Sequence, residues 1–194
     1  MPTPEEQAIV LSENSCAYTG PSFSLRNRLA RTVWSVACTL FFRPTPASLH
    51  AWRAMVLRLF GATLGARCHI YPKAIIWAPW NLTCGDETGV ANGAILYNQA
   101  RITLGTRSVI SQGSHLCTGT HDYRSPDFRL FAKPIAVGDH AWVAAECFIH
   151  PGVSIGEGTV IGARSVVTQD MPAWTVCAGN PCKPLKPREM KLPK

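Results

Sequence analysis

The sequence is poor in the features that mark several protein classes. It holds eight cysteines (16, 38, 68, 84, 117, 147, 177 and 182) but no Cys-x-x-Cys pair. That spacing excludes a zinc ribbon and favours free thiols in a reducing compartment. Met1 to Pro21 is polar and has no basic-then-apolar leader. The longest mostly apolar run, Leu29 to Phe42, contains Arg31 and is too short to span a bilayer. A cytoplasmic protein is expected. Charge is scarce at 16%, while the 15 Gly and 15 Pro are scattered through a chain that is 46% apolar, which excludes disorder and low complexity. With 194 residues there is room for one core and a short appendage.

The net charge of +7 is unevenly placed. Residues 64–171 carry as many acids as bases, so the excess sits in residues 1–63 and 172–194. A nucleic-acid binder more often carries its positive charge on the folded body. A phosphorylated small ligand or an anionic membrane surface fits this partition better, and no nucleic-acid partner is expected.

What the sequence does contain is a period of six. Hexads begin at Leu64, Ile70, Ile76, then, after two extra residues, at Cys84, Val90, Leu96, and after two more at Leu104, Ile110, Leu116. After a gap they resume at Val137, Val143, Ile149, Ile155, Ile161 and Val167. Every leading residue except Cys84 is aliphatic, and the fifth residue is small except at Trp80 and Met171. Neither helical spacing nor simple alternation gives this pattern. A solenoid does: each hexad supplies a short strand and a corner, three hexads make a coil, and the leading residues fill the interior. Glycine follows the leading residue at six places, among them Gly105, where the expectation is that it serves the turn. Before the repeat, Leu25 to Phe42 and Ser48 to Phe60 read as two basic amphipathic helices separated by Pro44 and Pro46. They either cap the open end of the solenoid or dock on anionic lipid.

The gap runs from Asp122 to Ala136 and follows His121 directly. A long excursion from a rigid scaffold is a place for function. Acyl transfer from a thioester to a hydroxyl needs a base, and neutral imidazole suits that task near pH 7.

The hexads resemble the left-handed parallel β-helix of the hexapeptide-repeat acyltransferases. The opposite hand would follow from the usual crossover rule, so the handedness rests on the resemblance alone. Thr118-Gly119-Thr120-His121 is similar to the Thr-x-His context of the general base in the maltose, galactoside and nodulation acetyltransferases. Ala78-Pro79-Trp80-Asn81-Leu82, Leu96-Tyr97-Asn98, Ile110-Ser111-Gln112, Leu116-Cys117 and His121-Asp122-Tyr123 resemble the colanic-acid-biosynthesis acetyltransferases more closely still. The resemblance implies a mainly β fold: a left-handed β-helix of about five coils over 64–171, with an extruded loop at 122–136. An extension over 1–63 with two α-helices precedes it, and a basic tail over 172–194 follows.

It also implies an O-acetyltransferase moving an acetyl group from acetyl-CoA to a sugar hydroxyl in exopolysaccharide biosynthesis. His121 would be the base, the protein a homotrimer with its sites between subunits, and no metal is expected. By position, Ala145, Ala163, Thr168 and Gln169 would meet the pantetheine arm, and Lys183 and Lys186 the phosphates; Lys191 and Lys194 belong to the same basic stretch. Gln169 stands where relatives often have Lys, which removes one phosphate contact. On the acceptor side the family's asparagine and aspartate fall near Ala91 and Gln99, leaving Asn92 and Asn98 as the nearby candidates. Trp142 borders the substrate pocket or is simply packed. Asp122 binds a sugar hydroxyl or caps the loop, and Glu146 is a candidate to orient the imidazole. The acceptor would be a sugar or lipid-linked sugar, which makes peripheral contact at the inner membrane face an alternative role for the two helices.

Two other readings use the same residues. His69, His115 and His121 make a γ-class carbonic anhydrase with interfacial zinc imaginable, although the family's close pair is five apart and this one is six. A non-catalytic scaffold is the other, against which the Thr-x-Thr-His and Gly-Asn-Pro motifs speak.

Overall fold

The structure, a computed structural model, describes residues 9–10 and 22–190. Lys191, Lys194, Cys16 and most of the polar N-terminal stretch lie outside the described residues.

The hexads form three parallel sheets wrapped about one interior. The leading residues stack in three columns: Leu64, Cys84, Leu104, Val137 and Ile155 on the first face, Ile70, Val90, Ile110, Val143, Ile161 and Cys177 on the second, and Ile76, Leu96, Leu116, Ile149 and Val167 on the third. All are buried. Five complete coils result. A partial sixth begins at Met171, which bridges Ile155. Met171 breaks the small-residue rule because it is the next residue of the first column, 3% exposed. Trp80 breaks it because the chain passes through a 3-10 turn, Pro79–Asn81, just before the two extra residues, which brings the Trp80 Cβ against Gly61.

The glycines after the leading residues do a different job from the one expected. Positive φ falls on corner residues such as Arg67, Glu87, Arg107 and Arg164 instead. Gly105 is required by stacking: a Cβ there would lie 2.5 Å from the Asp139 backbone nitrogen of the next coil. Its φ is ordinary, and it is the close approach of successive coils that admits no side chain.

The two helices are α1, Leu25–Ala37, which runs on through a π-helical turn, Cys38–Phe42, and α2, His50–Leu59. Ser24 caps α1 through a hydrogen bond from the Asn27 N–H. Both helices close the open end of the first coil, with Trp34, Cys38, Phe42, Ala54, Val56 and Leu57 joining the core. Trp34 Nε1 donates to the Ile76 carbonyl at 2.7 Å. Arg53, fully buried, donates to the carbonyls of Ile70, Pro46 and Ala47 and to Thr45 Oγ1, tying α2 to the first coil and to the interhelical turn. Among the described residues no helix is long and apolar enough to cross a membrane.

The stretch read as a basic tail forms two strands. Thr175–Gly179 continues the second face and turns back through Cys182–Pro187 as an antiparallel hairpin. Arg188 pins its end by donating to the carbonyls of His140 and Gly158.

Candidate active site

The repeat breaks at the corner between the third face of the third coil and the first face of the fourth. Thr118 anchors that corner. Its fully buried hydroxyl donates to the Tyr97 carbonyl and accepts from the Ala100 N–H. The next residues leave the coil as one strand of a hairpin, Gly119–His121, paired antiparallel with Leu130–Ala132. Strand Ile9–Val10 adds to the outer edge of this hairpin, on the far side of Leu130–Ala132 from His121. Nothing in the composition of that stretch signalled this pairing.

His121 ends the first strand and is half-buried. Its Nδ1 lies 2.8 Å from the Phe128 carbonyl, and its ring stacks on the Phe128 ring at 4.3 Å with 9° between planes. A carbonyl only accepts, so Nδ1 carries the proton and Nε2 keeps the lone pair of the neutral ring. The tip of the loop therefore fixes both tautomer and ring plane. Glu146, the residue offered for this task by sequence, is occupied elsewhere: its carboxylate accepts from Arg164 Nε at 2.7 Å. A backbone carbonyl has no signature in sequence, so Phe128 was not findable that way.

The acceptor-side candidates separate. Asn98 is fully buried, with Oδ1 accepting from the Ala78 N–H and Nδ2 donating to the Ala78 carbonyl. Both ends of its amide brace the widened corner, leaving neither for an acceptor. Asn92 is exposed and caps the Lys73 N–H. Asp122 accepts from the Arg124 N–H, an Asx turn that shapes the loop. Trp142 is 46% exposed on the second face, its Nε1 donating to Ser111 Oγ at 2.9 Å. It is not on the corner that carries His121. Gln99 is a further candidate that the sequence only flagged by position: it is 6% exposed, its Nε2 donates to the Tyr97 hydroxyl, and its Oε1 is buried beside Gly119 without a partner.

The donor-side residues fall into two sets. Ala145 and Ala163 stack one coil apart at the corner between the second and third faces, linked through the Arg164 N–H and the Ala145 carbonyl. One position earlier on the strands, Ala178 stacks on Gly162 and pairs with Lys183 across the C-terminal hairpin. Lys186 pairs with Val176, and both lysines are exposed. Thr168 and Gln169 are exposed after Val166–Val167, at the corner where, two coils earlier, the His121 hairpin departs. The third face is thus flanked by small residues and lysines on one side and by His121, Thr168 and Gln169 on the other.

No three His, Cys, Asp or Glu side chains come together among the described residues. His69 stacks on His50 at 4.9 Å, and His115 is enclosed between Tyr97 and Phe148, its Nε2 buried without a partner. Burial holds the His115 pKa below its ordinary value.

Residues 134–169 match the family model described as bacterial transferase hexapeptide (six repeats). The chain is 47% identical over 155 residues to the Escherichia coli K12 protein named for colanic acid biosynthesis acetyltransferase activity, WcaF, covering 80% of this chain and 85% of that protein. Among solved structures, a maltose O-acetyltransferase from Clostridium difficile 630 superposes with a TM-score of 0.79 at 26% identity, covering 86% of this chain and 90% of that one. A hexapeptide-repeat acetyltransferase from Vibrio cholerae in complex with acetyl-CoA superposes with a TM-score of 0.76 at 25% identity, covering 86% and 91%.

Proposed function

Because the chain belongs to the hexapeptide-repeat acetyltransferases, we propose that it transfers an acetyl group from acetyl-CoA to a sugar hydroxyl in exopolysaccharide biosynthesis, with His121 as the general base. The observation that carries this reading is the hydrogen bond from His121 Nδ1–H to the Phe128 carbonyl, which leaves Nε2 as the basic atom of a ring held at the edge of a rigid coil. Nε2 takes the hydroxyl proton as the oxygen attacks the thioester carbonyl. The new C–O bond forms, the C–S bond breaks, and the proton passes to the departing thiolate, so that acetylated sugar and CoA thiol are the products.

The residues around the third face suit such a donor. Ala145, half-buried, and Ala163, exposed, present small side chains that leave room for a slender pantetheine arm, and Lys183 and Lys186 add positive charge for the phosphates. Gln169 contributes no charge there.

Trp142 lies on a different face from His121, so a pocket that uses both is completed by a second copy of the chain. That copy would belong to a homotrimer with its sites between subunits, the assembly that the family resemblance suggests. The test is mass spectrometry of nucleotide-sugar and lipid-linked glycan acceptors incubated with protein and acetyl-CoA. A mass gain of one acetyl group on a sugar is the expected result. Binding of acetyl-CoA with no acetylated product across the panel would instead favour a scaffold role.

A further inference from the structure

Helix α1 has two apolar faces, and among the described residues only one of them is covered. Trp34 and Cys38 point to the first coil. On the opposite side Leu25, Leu29, Val33 and Val36 are 67, 58, 59 and 55% exposed. At about 100° per residue these four fall within an arc of about 80°. Leu40 and Phe41, 58 and 53% exposed, prolong the stripe through the π-helical turn. There it meets α2, because Trp52 Nε1 donates to the Phe41 carbonyl. Trp52, Met55 and Leu59, at 41, 42 and 77% exposure, continue it on one side of α2. A monomeric surface seldom leaves so long a run of large aliphatic and aromatic side chains uncovered.

The charge around this stripe specifies what covers it. From residue 14 to residue 85 the sequence has no Asp or Glu. Arg26 and Arg28 flank the stripe near its start and Arg43 follows its end, all three exposed. Beside the stripe, a groove between α1 and the first coil is lined by Arg31, Ser35, Thr39 and Arg43. Arg31 is held there by Asn27 Oδ1 and lies over the rings of Phe23 and Trp77. A self-complementary contact between two such faces would bring arginines together with no carboxylate on either helix to pair them. An anionic lipid surface supplies both missing partners: acyl chains for the stripe and headgroup phosphates for the guanidiniums. Trp52, with its one polar N–H already satisfied at the stripe's edge, suits the depth between headgroup and chain.

We infer that the outer face of α1 and the adjoining face of α2 form a docking surface for an anionic membrane, on which the chain lies without crossing it. The inference is independent of the acetyl-transfer reading, because its readout is binding and not turnover.

The experiment is flotation of the full chain with vesicles of equal parts phosphatidylcholine and phosphatidylglycerol, against phosphatidylcholine alone, at low and high salt. Binding to the anionic vesicles tighter by on the order of tenfold or more, weakened by salt, is expected. The variant Leu29→Asn/Val33→Asn alters only exposed positions and should lose flotation with an unchanged thermal midpoint. Arg26→Glu/Arg28→Glu should lose it too, and provides the check if the first variant fails to fold. Wild-type protein that stays at the bottom of the gradient overturns the inference. So does flotation unchanged in both variants. So does a Leu29→Asn/Val33→Asn protein that floats normally but sediments as a smaller species, which would assign the stripe to a contact between copies.

Discussion

At the scale of single residues, the most informative feature is which partner each titratable group has been given. Glu87 sits between Arg107 and Arg67, taking hydrogen bonds from both across neighbouring coils, and these hold its carboxyl down to about 2. A carboxyl depressed in the fold stabilises above its ordinary value of 4.5 and loses that contribution as pH falls from 4.5 toward 2. Melting temperatures of wild type and Glu87→Gln should therefore differ at pH 6 and converge near the acid end of that window. His115 runs the other way chemically but with the same sign. Burial lowers its pKa, so below 6.5 the unfolded chain binds a proton that the folded chain resists, and stability is lost as pH falls. His115→Phe, which keeps an aromatic ring against Phe148, should flatten the fall of the thermal midpoint as pH drops below 6.5; an unchanged slope would show that His115 protonates freely in the fold. The position of His121 where the repeat breaks was legible in the sequence, from the gap that follows it and the Thr-x-Thr-His motif. What holds it was not, since a main-chain carbonyl at Phe128 leaves no residue-type signal.

Elements were legible wherever side-chain type alone decides geometry. The aliphatic leading positions became three stacked columns, and the two-residue insertions after the first and second coils reappear as widened corners braced by Asn98 and Thr118. Ile149 sits inside its column, fully buried between Leu116 and Val167. Ile149→Ala should cost about 2–5 kcal/mol in denaturant unfolding, because parallel strands on either side cannot collapse into the void. A variant as stable as wild type would mean that this column is not the core. Where the backbone makes the decision, sequence reasoning went astray. A turn is the role that residue type gives Gly105, yet its ordinary φ and the 2.5 Å that would separate an added Cβ from the Asp139 nitrogen show a stacking constraint that only the neighbouring coil reveals. Likewise Asn98 was a plausible acceptor ligand by position, and its burial shows it to be a strut. The basic stretch after the repeat acquired its hairpin from the exposed edge of the second face, a partner that does not exist until the coils are stacked.

Over the whole molecule, one interior of stacked coils carries every candidate group on its corners and faces. The helices close the first coil, and the final hairpin extends the second face beyond the last complete one. The basic ends identified in the sequence have separate places: arginines surround the exposed stripe on α1 and α2, and Lys183 and Lys186 stand on the far hairpin. An assembly of three chains would sediment at about three times the 21.1 kDa of one chain, and a monomer at working concentrations would leave Trp142 and His121 without a common pocket. The most direct measurement is the acetyl-transfer rate of His121→Ala beside wild type, with acetyl-CoA affinity and melting temperature recorded on the same preparations. A rate lower by about 10²–10⁴, with affinity and melting unchanged, is the predicted result. A rate undiminished by the substitution would contradict it and remove His121 from the chemistry.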